Sequence, residues 1–573
     1  MRVPLPSPPA SWLAVSHLFF PALLACSAPP ATTLSLHVGQ AALALAEPCA
    51  AGSDGLDTFQ REVSELKLRV SGPKMRVQQE SAPLGDSLTL SQIPVGEDRR
   101  VMVTGVDGAR TLWRGLARGI AVKSGKTSEI TLLMTRIANV TCARSLMASG
   151  RAFHSASVLP DGRVLLIGGV SESRATTCSD GSSGCTTLLA TDQAELFDPS
   201  TGQFAATGSL KHARAFHTAV VLPNGRVIVV GGAASALVDA HAALPMIPSR
   251  SVSIIEAYDP GSAAFYEIGQ DSDAGQETGR NFAAGILLAD GRALISGGIP
   301  EQALTTAAGN VRMEALRSSL LCESTSDNAS CVSGPALAMR RFGHAMVALL
   351  DGSILLVGGS VESGTRSGRD DAGLTRNVSM QGPEIYRDGL FSFDVDRPLF
   401  LDGGGRANNY FFTSAFRVQG AGIFIAGGLS RPDDSETFAL TGPSEQVWYL
   451  EESQRYFSPG KPNESWRLGT PRFMLGAVPL GDGSRVLLAG GFESLNPLRP
   501  SSALEFVDGP SASIRLMSEN AIPRALRQAR GGAGFAGLSA GTALVTGGIS
   551  ALAPSEAPIS SAEIFTDAQE PSP

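Results

Sequence analysis

RAFHSASVLPDGRVLLIGG, residues 151–169, reads as an apolar strand, a tight turn and a second apolar strand that stops at Gly168-Gly169. The same ending recurs at Gly231-Gly232, Gly297-Gly298, Gly358-Gly359, Gly427-Gly428, Gly490-Gly491 and Gly547-Gly548, spaced 57 to 69 residues apart. That period is too long for a helical solenoid unit and suits a four-stranded sheet with long loops, so it predicts a closed array of such sheets.

Counting back from each doublet exposes a second column. Arg151, Arg214, Arg280, Arg341 and Arg530 each stand 17 residues before the first glycine, Arg472 stands 18 before, and Tyr410 holds the place in the fifth repeat. In between, Asp161-Gly162, Asn224-Gly225, Asp290-Gly291 and Asp351-Gly352 predict type I′ hairpins, whose two central residues need positive φ. A third strand is marked by Glu195-Leu196-Phe197-Asp198 and echoed at Glu256, Glu384 and Glu563. Gln446-Val447-Trp448 and Leu504-Glu505-Phe506 are degenerate copies, and the third repeat has no clear one. A fourth strand is expected to end four residues before the arginine, at Met147, Leu210, Leu337, Leu468 and Leu526. The chain ends soon after the third strand of the last repeat, so Thr141 to Met147 are expected to complete that sheet.

Strand, turn, strand to Gly-Gly, a Glu-x-aromatic-Asp strand and a fourth strand before the next arginine together resemble the kelch family over residues 137–568. The resemblance implies an all-β chain folded as a seven-bladed kelch-type β-propeller, one repeat per blade. The units are longer than is usual for that family, and the third and fifth are poorly marked. Ahead of them, in residues 54–136, Leu66, Leu68 and Val70 alternate with Lys67 and Arg69, which with similar short runs predicts a small antiparallel β-sandwich. Within it, Gln92 to Asp107 (QIPVGEDRRVMVTGVD) is similar to transthyretin-like or carboxypeptidase-regulatory-like modules, with the expected role of a spacer.

The N-terminus carries Arg2, an apolar stretch from Trp12 to Leu24, and Leu23-Leu24-Ala25-Cys26, which resembles the bacterial lipobox. It implies a lipoprotein signal peptide over 1–25, lipid attachment at Cys26 and a tether over 26–53. Of the seven cysteines, six remain once Cys26 is set aside. Proximity pairs Cys178 with Cys185, Cys322 with Cys331 and Cys49 with Cys142, while other pairings stay open. Disulfides belong in an oxidising compartment, so a bacterial cell envelope is expected, with the chain lipid-anchored at the outer membrane or cell surface.

Composition excludes other classes. A net charge of -8 over 573 residues, with no basic stripe, argues against nucleic acid as a partner. The 43% hydrophobic content and 64 glycines describe a compact, turn-rich chain, and 6% aromatics are too sparse for a dense carbohydrate-stacking surface.

Candidate chemistry is thin. His154, His217 and His344 stand three residues after the arginine, where imidazoles can ligate a metal. The other repeats carry Ala283, Thr413, Leu475 and Ala533 there, so strand packing is expected instead. The arginines are expected to bond carbonyls between blades rather than to hold an anion. Some members of the resembled family are copper radical oxidases, whose centre needs two tyrosines, two histidines and a cysteine cross-linked to one tyrosine. None of the six tyrosines here adjoins a histidine. Gly537-Leu538-Ser539-Ala540-Gly541 fits a nucleophile elbow but falls in a hairpin. Ser124-Gly125-Lys126-Thr127 is close to a phosphate loop but no helix follows. Asp271, Asp273 and Glu277 form an acidic run, read as a solvated loop before a Ca²⁺ site.

No catalytic, cofactor or metal residue is therefore expected. The long stretches Val170 to Asp192, Ala233 to Ser253, Pro300 to Ala336, Val361 to Gln381 and Leu429 to Ser444 mostly follow the Gly-Gly strand and should cluster on one face as loops. The expected function is a lipid-anchored scaffold that binds a protein or glycan through those loops. The alternative is an exported enzyme acting on a carbohydrate, of the oxidase or mutarotase class, with its site at the channel mouth.

Overall fold

The computed structural model describes residues 55–568 with interruptions, the longer being 240–245, 370–374, 394–399, 402–406, 433–439, 451–456, 459–465 and 516–524, plus two earlier strands, Thr33–Leu36 and Leu43–Leu45. Residues 1–25, Cys26 and Cys49 lie outside the described residues. The described chain is nearly all β, with one α-helix, Gly55–Glu62, and no helix long and apolar enough to cross a membrane.

Most of the strands form antiparallel four-stranded sheets. Among the described residues, six of these repeat one connectivity, with the four strands of a repeat side by side in chain order, and another matches it except that one outer strand comes from ahead of the first repeat. In the first, Ser155–Val158, Val164–Ile167, Ala194–Asp198 and Gln203–Ala206 pair in that order. The last sheet takes Gly534–Leu538, Thr542–Thr546 and Ala562–Thr566 from the end of the chain and Asn139–Cys142 from ahead of the first. Its register runs Asn139↔Thr566 to Cys142↔Glu563. The second strands are buried on both faces (Val164–Ile167, Val227–Val230, Ile354–Val357), which is why they read as unbroken apolar runs. First strands of successive sheets neighbour one another, and Ser155–Val158 also lies beside Gly534–Leu538.

The doublets exist because one repeat's backbone arrives against the next. A Cβ on Gly168 would sit 2.4 Å from the Arg214 carbonyl oxygen, and one on Gly547 would sit 2.2 Å from that of Arg151. Both residues of each doublet also have positive φ, 57° and 98° at Gly168-Gly169, where glycine alone is unstrained. The second glycine then donates its N–H to that same carbonyl: Gly169 to Arg214 at 2.9 Å, Gly232 to Arg280, Gly298 to Arg341, Gly359 to Tyr410, Gly428 to Arg472, Gly491 to Arg530, and Gly548 to Arg151 at 2.8 Å. The series returns to its start.

The hairpin turns differ from the type I′ expectation. Gly162 donates to Leu159 O at 2.9 Å, Leu159 donates to Arg163 O at 2.8 Å, and of Asp161 and Gly162 only the glycine has positive φ. This is a three-residue loop, a type I turn followed by a left-handed glycine, repeated at Gly225, Gly291 and Gly352. Pro160 suits the second position of such a turn, and Asp161 accepts from the Arg163 N–H at 3.0 Å. Met147, Leu210, Leu337, Leu468 and Leu526 are buried, but they sit in the links after the fourth strands rather than at strand ends.

Several expected loops are sheet. Val170–Thr177, Ser183–Ala190, Ala233–Val238 and Met246–Ser251 join into one four-stranded sheet that spans the first two repeats. Pro300 to Ala336 contains the third and fourth strands of its own sheet, Ser319–Ser324 and Ala329–Ser333. The N-terminal region also departs from a purely antiparallel sandwich. Thr33–Leu36 and Leu43–Leu45, from the stretch expected as a tether, each form a parallel pair with strands of that module. Its core (Phe59, Leu66, Leu68, Val70, Trp113) includes one face of the helix. It packs against the repeats: Thr566 Oγ1 donates to Thr135 Oγ1 at 2.7 Å, and Leu133 packs with Val164 and Ile564.

Substituting Gly231→Ala places a Cβ 1.9 Å from the Arg280 carbonyl oxygen at a φ of 70°, whereas Gly181 (φ 84°) has nothing within 4 Å. Gly231→Ala is expected to destabilise by about 3 kcal/mol or more and Gly181→Ala by only about 1 kcal/mol, read from urea unfolding. Equal costs would show that the close approach does not govern stability.

Candidate functional site

The arginine column is buried completely; Arg151, Arg214, Arg280, Arg341, Arg472 and Arg530 have no exposed surface. Each guanidinium caps the carbonyl of the first glycine in its own repeat, as in Arg214 Nη1 to Gly231 O at 3.0 Å and Arg530 Nη1 to Gly547 O at 2.7 Å. Its other face meets a carboxylate on the third strand. Arg151 binds Glu195, Arg214 binds Glu256 at 2.6 Å, Arg341 binds Glu384 at 2.7 Å, Arg472 binds Glu505 at 2.6 Å and Arg530 binds Glu563 at 2.8 Å. The same carboxylates accept backbone N–H groups from the link ahead of the arginine, such as Lys211 to Glu256 at 2.7 Å. Burial lowers the pKa of Arg151, Arg214, Arg472 and Arg530, and the facing glutamate opposes that shift. The arginines thus bond carbonyls of their own repeat and not, as the sequence suggested, between repeats, and each of these five charges is matched inside its own sheet.

The two poorly marked repeats solve the same problem differently. In the third, Leu320 occupies the glutamate position, opposite Ile295. Asp271, from the end of the preceding repeat, supplies the carboxylate instead, at 2.5 and 2.7 Å from Arg280. Asp271 is therefore neither in a solvated loop nor available to Ca²⁺; it is fully buried. In the fifth, the register places Trp448, not Gln446, at the glutamate position, opposite Ile425. It faces Tyr410 with ring centroids 6.4 Å apart, so an aromatic pair replaces the ion pair.

The histidines bridge neighbouring repeats. His217 Nε2 shares a hydrogen bond with Ser155 Oγ at 2.9 Å, His344 Nε2 with Ser296 Oγ at 2.9 Å, and His154 Nε2 with Thr546 Oγ1 at 2.8 Å. Burial, followed by the nearby arginine charge, pushes His217 and His344 down to about 3 and His154 well below the ordinary imidazole value. Among the described residues these three do not converge as a metal-binding group. The one cluster of ligand type among the described residues, Cys178, Cys185 and Asp239, contains a disulfide and so offers no thiolates.

One position earlier lies a column that sequence reasoning missed. Phe153, Phe216, Phe282, Gly343, Phe412, Met474 and Gly532 stand two residues after each arginine or Tyr410, and all have positive φ, between 52° and 61°. The geometry lets six of the seven N–H groups reach the same column in the preceding repeat: Phe216 to Phe153 O at 3.1 Å, Phe282 to Phe216 O, Gly343 to Phe282 O, Phe412 to Gly343 O, Met474 to Phe412 O, and Phe153 to Gly532 O at 2.6 Å. The side chains form a collar, with Phe153–Phe216, Phe216–Phe282 and Phe282–Phe412 centroids 4.8, 5.1 and 5.2 Å apart. Together with the histidine-column residues, this collar lines a cavity of about 330 Å³ that takes residues from all seven repeats. The signal was available as Arg-x-Phe at 151–153, 214–216 and 280–282.

The remaining sequence candidates resolve simply. Ser539 lies in the turn between strands Gly534–Leu538 and Thr542–Thr546, with no helix to make an elbow. Lys126 closes a turn onto Lys123 O before the strand Thr127–Ser128. Cys178–Cys185 staples the sheet above the first two repeats, and Cys322–Cys331 joins directly opposed residues of the third repeat's outer strands. Cys142 is also disulfide-bonded. No protein-family profile matches the chain, and no curated protein is significantly similar to it.

Removing one member of a buried ion pair strands the other, so Arg214→Met or Glu256→Met alone should cost about 3–5 kcal/mol. The double substitution Arg214→Tyr with Glu256→Trp, which copies the fifth repeat, should cost clearly less than the sum of its single changes in a double-mutant cycle. Strict additivity would show that the Tyr410–Trp448 pair is not an equivalent solution.

The histidines set a pH dependence of known sign. Their folded pKa lies below the unfolded value, so their contribution is complete above about pH 6.5 and is lost as pH falls towards 3. Between about pH 6 and pH 4, His217→Gln should reduce the slope of unfolding free energy against pH by about 1.4 kcal/mol per pH unit. Superimposable slopes for the two proteins would mean that His217 titrates normally.

Proposed function

We propose that the chain is an exported, lipid-anchored, kelch-type seven-bladed β-propeller of a bacterial cell envelope, acting as a scaffold that binds a protein or glycan partner. Support for the ring comes from the cycle of glycine-to-carbonyl hydrogen bonds and from the cavity lined by every repeat. Support for export comes from Leu23-Leu24-Ala25-Cys26 and from the two stapled hairpins.

The observation that carries the binding role is where the extra chain is spent. Hairpins follow the doublets at Val170–Thr177 with Ser183–Ala190, Ala233–Val238 with Met246–Ser251, Leu304–Ala307 with Asn310–Met313, Thr365–Arg369 with Thr375–Ser379, and Phe492–Leu495 with Leu498–Pro500. Repeats of one connectivity put these insertions on one face, and insertions carried by a rigid scaffold are where recognition concentrates.

Two measurements test this. In a Gram-negative host, the native chain should partition into the detergent phase and Cys26→Ser into the aqueous phase; native protein in the aqueous phase refutes the anchor. Cross-linking in intact envelope should capture a defined partner that is lost when residues 304–313 are cut to an Asn-Gly turn and the 365–379 hairpin is shortened likewise. Undiminished capture by both shortened chains refutes binding through this face.

A further inference from the structure

We infer that the cavity bounded by the phenylalanine collar is a binding site for a small, uncharged, aromatic or apolar molecule. The concavity is open to solvent, and its volume of about 330 Å³ falls in the range of small-molecule pockets. Its wall is made of Phe153, Phe216, Phe282, Phe412 and Met474, backed by the buried cluster that includes Phe342, Phe411 and Phe492. The partly exposed Ala283 and Ala533 on the same wall give it access to solvent.

Several polar groups of the wall are bonded within it. Thr413 Oγ1 donates to Ala426 O at 3.0 Å and Ser414 Oγ to Leu475 O at 2.6 Å. The collar's N–H groups from Phe153 to Met474 are spent on the belt around it, and the three histidines hold hydroxyls of neighbouring repeats through Nε2, while their Nδ1 atoms are buried without a hydrogen-bond partner. Burial keeps those imidazoles neutral, and among the described residues no Asp, Glu, Lys or Arg lines the cavity. An ion entering it would lose water without finding a counter-charge, whereas an aromatic or aliphatic body avoids that loss and gains ring contacts with the collar. The inference does not rest on the anchor or the partner face proposed above, and its failure would leave both untouched.

The test uses the full chain and two fluorescent probes of similar shape, neutral N-phenyl-1-naphthylamine and anionic 8-anilinonaphthalene-1-sulfonate. The neutral probe should bind saturably with one site per chain, raise the melting temperature, and bind at least about tenfold tighter than the sulfonate. Ala283→Trp and Ala533→Phe fill the cavity from different repeats. Each should weaken the neutral probe by about tenfold or more, with the melting transition of each variant recorded alongside. Equal affinity for the two probes, non-saturable uptake, no shift in the native melting temperature, or unchanged uptake in a folded filled variant would each overturn the assignment.

Discussion

The fold depends on a contact that leaves no room for a side chain: the carbonyl of each arginine-column residue presses against the first glycine of the preceding repeat and accepts from the second. A strand that ends this way must turn left-handed twice in succession, which only glycine does without strain. The turn leaves the first glycine's carbonyl inside the sheet without a strand partner. The guanidinium of the same repeat satisfies it, and a charge placed there needs a counter-charge. Gly-Gly, Arg and Glu are therefore consequences of one approach distance and not three separate signatures.

Variation among the repeats shows which part of that chain is fixed. Five repeats use a glutamate from their own third strand, and the third borrows Asp271 from its predecessor. The fifth abandons charge for Tyr410 against Trp448. The glycines never change. What the site demands is a filled, satisfied volume behind the doublet, and an ion pair is one way of supplying it; well-packed apolar groups are energetically competitive with buried pairs.

Most of the repeating frame was legible because a local constraint met seven times in one chain exposes its own register. That a strand from ahead of the first repeat completes the last sheet was legible from the phase of the repeats, although it runs Asn139–Cys142 and not Thr141 to Met147 as expected. What was misread lacked a local mark. Asp-Gly and Asn-Gly suit both a two-residue and a three-residue loop, and the next residue's pairing, Leu159 with Arg163, decides between them. With Leu320 at the glutamate position, the strand Ser319–Ser324 looked like loop. Asp271 looked solvated because its partner, Arg280, is nine residues on and its burial comes from tertiary packing. The collar was written plainly in the sequence, yet an aromatic beside a strand start reads as ordinary core.

The collar also has an energetic logic. Glycine would take the left-handed conformation freely, and a non-glycine residue there costs about 1–2 kcal/mol. Four phenylalanines and a methionine accept that cost, while the two glycines of the column, Gly343 and Gly532, sit where a neighbouring ring, Phe412 or Phe153, already occupies the space a Cβ would need. Ring pairs at 4.8 to 5.2 Å return about 0.5–1.5 kcal/mol each beyond burial. Over five residues the strain, about 5–10 kcal/mol, exceeds the about 1.5–4.5 kcal/mol that the three ring pairs return, so the rings alone do not hold the collar. The hydrogen-bonded backbone belt beneath the rings, which the left-handed conformation makes possible, is what the strain is set against.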